Sequence, residues 1–152
     1  MEEDRKVASP HTGMIYLDIP RPPRSLVDAF TTIGVADAYA SLGTEMLMDP
    51  AILPLWFGAR IVGPAVTVLN SPGDTLMLHR ALALSQPGDV LALTSYAPNP
   101  SATWGKLVTI SARARGVAGA IIDGYVRDTA DIRAMHFPVW ARSVSPRGST
   151  RK

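Results

Sequence analysis

The stretch Ile121-Ile122-Asp123-Gly124-Tyr125-Val126-Arg127-Asp128 decides the reading of the fold. An apolar run over residues 117–122 has the length and β-branching of a buried strand and is expected to stop at an Asp123-Gly124 turn. Arg127 and Asp128 then stand side by side at the mouth of a predicted helix over residues 128–135. Open α/β sheets bind ligands where buried strands end in polar loops. A cation and a carboxylate placed there suit an anionic substrate and a divalent metal, respectively.

Working outward, the second half of the chain alternates regularly. Residues 90–93 form a predicted strand, 96–100 a loop, and 102–115 a helix ending at Gly116, with Trp104, Leu107, Val108 and Ser111 on one side. Residues 137–141 form another strand. Two strand–helix–strand units in succession predict an α/β fold with parallel pairing and right-handed crossovers. Upstream, residues 61–69 are strand-like, and Pro64 among them predicts a bulge or an edge position. Asp74 is expected to cap a helix through Leu84 that Pro87-Gly88 ends. Earlier helices are predicted from Ser25 and over residues 35–42, the second stopped by Gly43. Residues 1–24, closed by Pro20-Arg21-Pro22-Pro23, read as an N-terminal arm, and residues 25–152 as one domain.

Composition narrows the function. With 152 residues, 47% of them hydrophobic and 18% charged, the chain can bury a core. The absence of cysteine excludes disulfides, thiolate metal sites and cysteine nucleophiles. Six of the fifteen Lys and Arg residues lie in the last 26 positions, and residues 147–152 read as a solvated basic tail. No basic patch interleaved with stacking aromatics is visible, so nucleic-acid binding is not expected. The charged start Met1-Glu2-Glu3-Asp4-Arg5-Lys6 is not a secretory signal. No long apolar run is free of Arg, Pro or Gly, so no membrane span is expected and a cytoplasmic location follows by default.

Each candidate residue has a plain structural role beside its chemical one. Asp128 is a good helix N-cap, and Arg127 is then a surface residue; alternatively Asp128 holds a cation and Arg127 a carboxylate, and both readings can hold together. Gly105 at a helix start either permits tight packing or lets an anion reach the free N–H groups of the first turn. His79 on a Leu-rich helix reads as a core or interface residue, and His11 and His136 have no partners at metal-ligand spacing. Trp56-Phe57 reads as core or subunit contact. No zinc-helix motif, phosphate loop, dinucleotide fingerprint or nucleophile elbow is present.

The pattern as a whole resembles the RraA-like family, which includes the 4-hydroxy-4-methyl-2-oxoglutarate and 4-carboxy-4-hydroxy-2-oxoadipate aldolases. The residues that carry the resemblance are Gly63-Pro64-Ala65-Val66-Thr67-Val68, Pro72-Gly73-Asp74, His79-Arg80-Ala81-Leu82 and Gln86-Pro87-Gly88-Asp89-Val90-Leu91. It continues through Trp104-Gly105, residues 112–119, Asp123 to Asp128, Phe137-Pro138-Val139 and Ser145-Pro146-Arg147-Gly148. The resemblance implies a swivelling β/β/α-type sandwich, assembled as homotrimers or homohexamers with sites between subunits. It implies class II aldolase or decarboxylase chemistry on a pyruvate-containing oxo acid, with Mg²⁺ or Mn²⁺ stabilising the enolate. By that resemblance Asp128 is the metal anchor and Arg127 the substrate-binding cation. Gly105, Lys106 and Leu107 are the helix start that receives the pyruvate carboxylate.

Three departures stand out. Lys106 occupies a position that is acidic in the family's aldolases, which predicts repulsion of the cation or loss of an outer contact to it. Residues 95–101 replace a Gly-rich loop with a stiffer one, expected to reshape the pocket. Family members continue beyond Pro-Arg-Gly, so the chain reads as C-terminally short, with exposed sheet edges and any acidic group from that region supplied elsewhere. The alternative to an enzyme is a binding or regulatory protein like the RNase E inhibitor of the same family, or a subunit whose site a partner chain completes. That inhibitor's motif lacks the Asp after Arg, so Asp128 favours the enzyme.

Overall fold

The computed structural model describes residues 13–42 and 47–151. The expected helix stop at Gly43, the charged start at residues 1–6, His11 and Lys152 lie outside the described residues. Among those described, six strands form one sheet and five helices accompany it. The strands are β1 (Leu53–Pro54), β2 (Ala65–Asn70), β3 (Val90–Ser95), β4 (Ala102–Trp104), β5 (Gly119–Val126) and β6 (Val139–Val144). The helices are α1 (Arg24–Phe30), α2 (Val35–Leu42), α3 (Leu76–Leu84), α4 (Lys106–Ala114) and α5 (Thr129–Ala134).

The sheet runs β1-β6-β5-β3-β2, parallel except for the antiparallel β1, with β4 paired to β5. The expected parallel α/β architecture is therefore present. β2 is an edge strand that begins just after Pro64, whose carbonyl accepts the Val90 N–H at 2.8 Å. A proline is tolerated there because the edge asks nothing of its missing N–H.

One face of the sheet carries the core. Val66, Val68, Leu91, Leu93, Ile122 and Val139 pack with Leu78, Leu82, Ala112 and Ile132 of α3, α4 and α5. The alternate residues of β2 (Ala65, Thr67 and Leu69) are exposed. They border an open groove of about 1150 Å³ flanked by residues 13–20. α1 and α2 show no buried residue among those described, and Leu26, Phe30, Val35 and Tyr39 face solvent. Trp56 packs on the core, whereas Phe57 is fully exposed.

Three boundaries differ from the sequence reading. The predicted strand does not stop at Asp123-Gly124; β5 runs through both to Val126, with its register against β6 shifting between Ile122 and Tyr125. Asp123 is kept in the strand by Thr94 Oγ1, which donates at 3.0 Å, and by the Arg142 guanidinium. Turn propensity is overridden because these cross-strand partners outweigh a local Asp-Gly preference. Residues 102–104 are strand, not helix, and α4 begins only at Lys106. Trp104 is 1% exposed, stacks on Phe137 with ring centroids 6.0 Å apart, and donates from Nε1 to Thr109 Oγ1 at 2.8 Å. Residues 147–151 expose Arg147 and Arg151 as a solvated tail would, but their backbone is tied down. The Arg147 carbonyl accepts the Ala102 N–H at 2.8 Å, the Thr150 carbonyl accepts the Thr75 N–H at 3.0 Å, and the Thr150 N–H donates to Gly73 at 2.8 Å.

Among the described residues, the arm is anchored by Ile19, which packs on the core, and by Arg21. Arg21 clasps Asp89 through Nε (2.8 Å) and Nη2 (2.6 Å), and Asp89 also accepts the Gln86 N–H at 2.7 Å. Burial alone would raise the Asp89 carboxyl, but the Arg21 and Gln86 hydrogen bonds and the Arg21 charge hold it below the usual carboxylate range. Stability from this pair is therefore full above the unfolded-state value of about 3.9 and is lost as pH falls through the lower folded value. Arg21→Ala is expected to cost about 3–5 kcal/mol in urea unfolding at pH 7, because it strands a buried carboxylate. The gap from the native protein should narrow on acidification below pH 4; a gap that is constant with pH would contradict the account.

Candidate active site

The β5–α5 junction and the β4–α4 junction meet at the carboxyl edge of the sheet. Arg127 N–H donates to the Trp104 carbonyl at 3.0 Å, which fixes one loop against the other. Asp128 follows with φ 57°, the left-handed region that Asp tolerates better than most residues. It occupies the N-cap position of α5, yet its side chain makes no hydrogen bond to that helix. Instead Oδ2 accepts the Lys106 N–H at 2.9 Å, so the carboxylate caps α4. The expected N-cap role is real, but for a different helix.

This arrangement requires Gly105. A Cβ there would lie 2.8 Å from Asp128 Oδ2 and 3.0 Å from Arg127 Cγ. The glycine is itself positioned by the core, since its carbonyl accepts from Thr109 Oγ1 at 3.0 Å and Thr109 holds the buried Trp104. Arg127 Nε lies 3.7 Å from Asp128 Oδ2, and Nη1 would be 3.2 Å from a Cβ on Gly148. The pinned 147–151 segment therefore forms one wall beside Arg127. Thr109 was not singled out by the sequence, and Gly148 entered only within the Ser145-Pro146-Arg147-Gly148 motif, without a role; no local pattern marks a residue that acts by packing on a distant loop.

Lys106 is exposed at the start of α4, and its ammonium pairs with Asp131 Oδ1 at 2.7 Å. That bond, then the Asp131 charge, and finally the charge of Asp128 raise the Lys106 pKa. Asp131 was also missed, although the i,i+3 spacing from Asp128 places both acids on one side of a helix start. The shelf thus alternates Arg127, Asp128, Lys106 and Asp131, with no net charge. Of the three amides expected to receive a carboxylate, those of Gly105, Lys106 and Leu107, that of Lys106 is engaged by Asp128. Those of Leu107 and Val108 find no acceptor among the described residues.

The donor set suits a hard divalent cation. Asp128 Oδ1 accepts no hydrogen bond among the described residues, and the side chain is 37% exposed. Mg²⁺ and Mn²⁺ accept one carboxylate with water and substrate oxygens completing the shell. Among the described residues no group of three or more His, Cys, Asp or Glu forms a closed cage. Neither main cavity is lined by Arg127 or Asp128. His79 is half-buried on α3, and burial, then the Arg151 charge, lower its pKa; it is a neutral packing residue at pH 7.

The parallel sheet with this loop pair defines an α/β protein of the RraA type. The RraA-like family model, described as Aldolase/RraA, matches residues 32–152, and the chain belongs to that family. A Halalkalibacterium halodurans protein named "Putative 4-hydroxy-4-methyl-2-oxoglutarate aldolase" is 33% identical over 119 residues, which is 78% of this chain and 57% of that protein. A Burkholderia multivorans protein of the same name is 32% identical over 126 residues, 81% of this chain and 76% of its own length. The chain thus spans little more than half of the first relative and three-quarters of the second. Among solved structures, Streptomyces coelicolor RraAS2, described as an unusual member of the RNase ES inhibitor RraA protein family, superimposes with a TM-score of 0.76 at 27% identity. The match covers 87% of this chain and 70% of that one. The RNA-processing inhibitor RraA from Thermus thermophilis shares the fold, with a TM-score of 0.71 at 21% identity over 79% of this chain and 73% of that one.

The close approach at Gly105 can be tested directly. The atom in the way is the end of a flexible carboxylate, so Gly105→Ala should fold with a melting temperature within about 5 °C of the parent. Asp128 should leave the α4 terminus, and amide exchange at Lys106 should accelerate by about tenfold. Unchanged exchange would show that the cap is not what protects this amide.

Proposed function

We propose that the chain is a divalent-metal-dependent carbon–carbon lyase that cleaves a pyruvate-containing oxo acid, of the 4-hydroxy-4-methyl-2-oxoglutarate or oxaloacetate type. The observation that carries this reading is the Asp128 carboxylate, held with one oxygen open beside Arg127 and the free amides of α4. Family membership and the aldolase names of relatives at 32–33% identity support it.

Asp128 would hold the Mg²⁺ or Mn²⁺. When bound, the ion supplies Lewis-acid withdrawal of charge from an oxo-acid carbonyl. Arg127 neutralises the substrate carboxylate through its planar fork, and the Leu107 and Val108 N–H groups orient that anion at the positive end of α4. Gly105 lets the substrate approach the backbone closely. The exposed apolar residues of α1 and α2 support assembly as a homotrimer or homohexamer. Such assembly would also close a shelf that is open in one chain. No described helix is long and apolar enough to cross a membrane.

One observation favours a second reading, that of a non-catalytic binding protein: Asp128 already serves α4 as a cap. The two readings separate at Asp128→Asn. Asparagine keeps an oxygen for the Lys106 N–H and tolerates the left-handed backbone, but loses the charge a metal needs. Mn²⁺-dependent pyruvate release from oxaloacetate should fall on the order of 100-fold or more with an unchanged melting temperature. Release that persists in Asp128→Asn, or is absent from the folded native protein, would sink the lyase reading.

Lys106→Glu gives a second measure. It removes the pair with Asp131 and adds a third carboxylate near Asp128, so Mn²⁺ affinity measured by electron paramagnetic resonance should rise several-fold. An unchanged affinity would show that this side chain does not influence the cation. Arg127→Ala should raise KM for oxaloacetate by about tenfold or more while Mn²⁺ affinity stays within about twofold.

A further inference from the structure

The pairing of β3 with β5 runs from Val90/Gly119 to Leu93/Ile122 and then stops, and β5 takes β4 as its partner from Tyr125/Ala102 onward. The gap between the parting strands is a cavity of about 370 Å³, with the 95–101 loop along one wall. Crevices where strands part at their carboxyl ends are the ligand positions of open α/β sheets. The volume lies at the small end of the range for small-molecule sites.

The lining mixes apolar side chains with uncharged polar ones and leaves no free charge. Asn70 is 2% exposed, and its Oδ1 must face the Leu78 N–H, which donates to it at 3.2 Å. Its Nδ2 has no partner among the described residues, and no polar side-chain atom there is both enclosed and unpaired. The amide NH₂ therefore reaches the cavity that Asn70 lines. Asn99 repeats the pattern, accepting the Ser101 N–H on Oδ1 at 2.9 Å and leaving its NH₂ unused. Ser101, Thr103 and Tyr125 also line the cavity, and their hydroxyls make no hydrogen bond among the described residues. Two amide donors and three hydroxyls, each able to donate and accept, match a chain of hydroxyl groups.

The charged groups of the wall are committed. Arg142 binds Asp123 through Nε and Asp49 through Nη1, the latter at 2.8 Å. The cavity wall itself thus carries one carboxylate and one guanidinium that are paired with each other, and it offers no unpaired cation to a second anion.

We propose that this cavity binds a neutral, polyhydroxylated group. Thr103 and Tyr125 each precede Gly105 and Arg127 by two residues, a step of roughly 7 Å along a strand. Resting on the lyase reading above, the cavity then takes the hydroxylated tail of a 2-oxo acid whose carboxylate lies at Arg127. Among the pyruvate-containing oxo acids that the Asp128 shelf would accept, the cavity favours a 3-deoxy-2-oxo sugar acid over a dicarboxylate.

Two measurements on the full chain separate this claim from the lyase reading. In NMR titrations, xylitol should shift the side-chain amide signals of Asn70 and Asn99, and glutarate should not. Asn70→Asp, which keeps the oxygen facing Leu78, should weaken xylitol binding about tenfold, and Tyr125→Phe several-fold. With Mn²⁺, pyruvate release from a 3-deoxy-2-oxo-hexonate should exceed that from 4-hydroxy-4-methyl-2-oxoglutarate by about tenfold in kcat/KM. Oxaloacetate, too short to enter the cavity, reports on the Asp128 shelf alone. Xylitol failing to move either amide, or glutarate moving them as strongly, overturns the cavity assignment whatever oxaloacetate does. Turnover of oxaloacetate without preference for the hydroxylated acid overturns the substrate class and leaves the lyase standing. Xylitol binding without turnover of any acid supports the cavity and removes the lyase.

Discussion

The hydrogen bond from the Lys106 amide to Asp128 Oδ2 is the constraint on which the site depends. It joins the start of one crossover helix to the end of the neighbouring strand, across 22 residues of chain. The contact exists because Gly105 has no side chain and because Asp128 adopts a left-handed backbone. Both conditions are enforced from below. Trp104 is locked in the core by Phe137 and Thr109, and the Trp104 carbonyl takes the Arg127 amide, so the two loops meet in one register. A carboxylate held at a helix N-terminus interacts favourably with the dipole and amides. It is also preorganised, which is what a metal anchor with few protein ligands requires.

The sheet explains why the site lies where it does. Parallel sheets are normally covered on both faces, whereas here the helices α3, α4 and α5 supply the core on one face and the alternate residues of β2 stay exposed on the other. Strand pairing is consequently incomplete at the carboxyl edge, where β3 and β5 part and β4 joins β5. That parting makes the cavity, and the bulge in β5 turns Asp123 and Tyr125 to its wall. The shelf and the cavity are therefore successive stations along the same strands, the first built of ionised side chains and the second mainly of uncharged ones.

Periodicity was enough to read the parallel architecture, because residues 90–93, 117–122 and 137–141 are short apolar runs separated by helical spacing. It failed where tertiary partners decide. Asp123-Gly124 has a turn's local chemistry, but Thr94 and Arg142 hold the aspartate in a strand. Residues 102–104 carry a helix-like pattern, but Ala102 is claimed by Tyr125 and by the Arg147 carbonyl. The basic stretch after Arg147 looks solvated by composition, yet its backbone is bound by Gly73 and Thr75, and its Gly148 walls Arg127. Of the site, Arg127, Asp128 and Gly105 were legible, because each breaks an apolar pattern at an element boundary. Asp131 and the cavity residues were not, since nothing local to Asn70 or Asn99 announces a donor left over after folding.

Lys106 shows how a positive charge is accommodated beside the carboxylate proposed to hold a cation. A free ammonium next to Asp128 would compete with a divalent ion for the carboxylate. Here the ammonium is drawn onto Asp131, one turn into α5, at 2.7 Å. The competition is thus weakened by an acid that lies on the same helix start as the anchor, although the pair is exposed and screened by solvent. The same pairing leaves the shelf with balanced charge before any ligand arrives. A complex of a divalent cation with a singly charged oxo acid would bring a net positive charge to it, and one with a dicarboxylate would bring none. A second carboxylate would therefore find no free cation: the cavity around Asn70 holds none, and the Lys106 ammonium is already paired with Asp131.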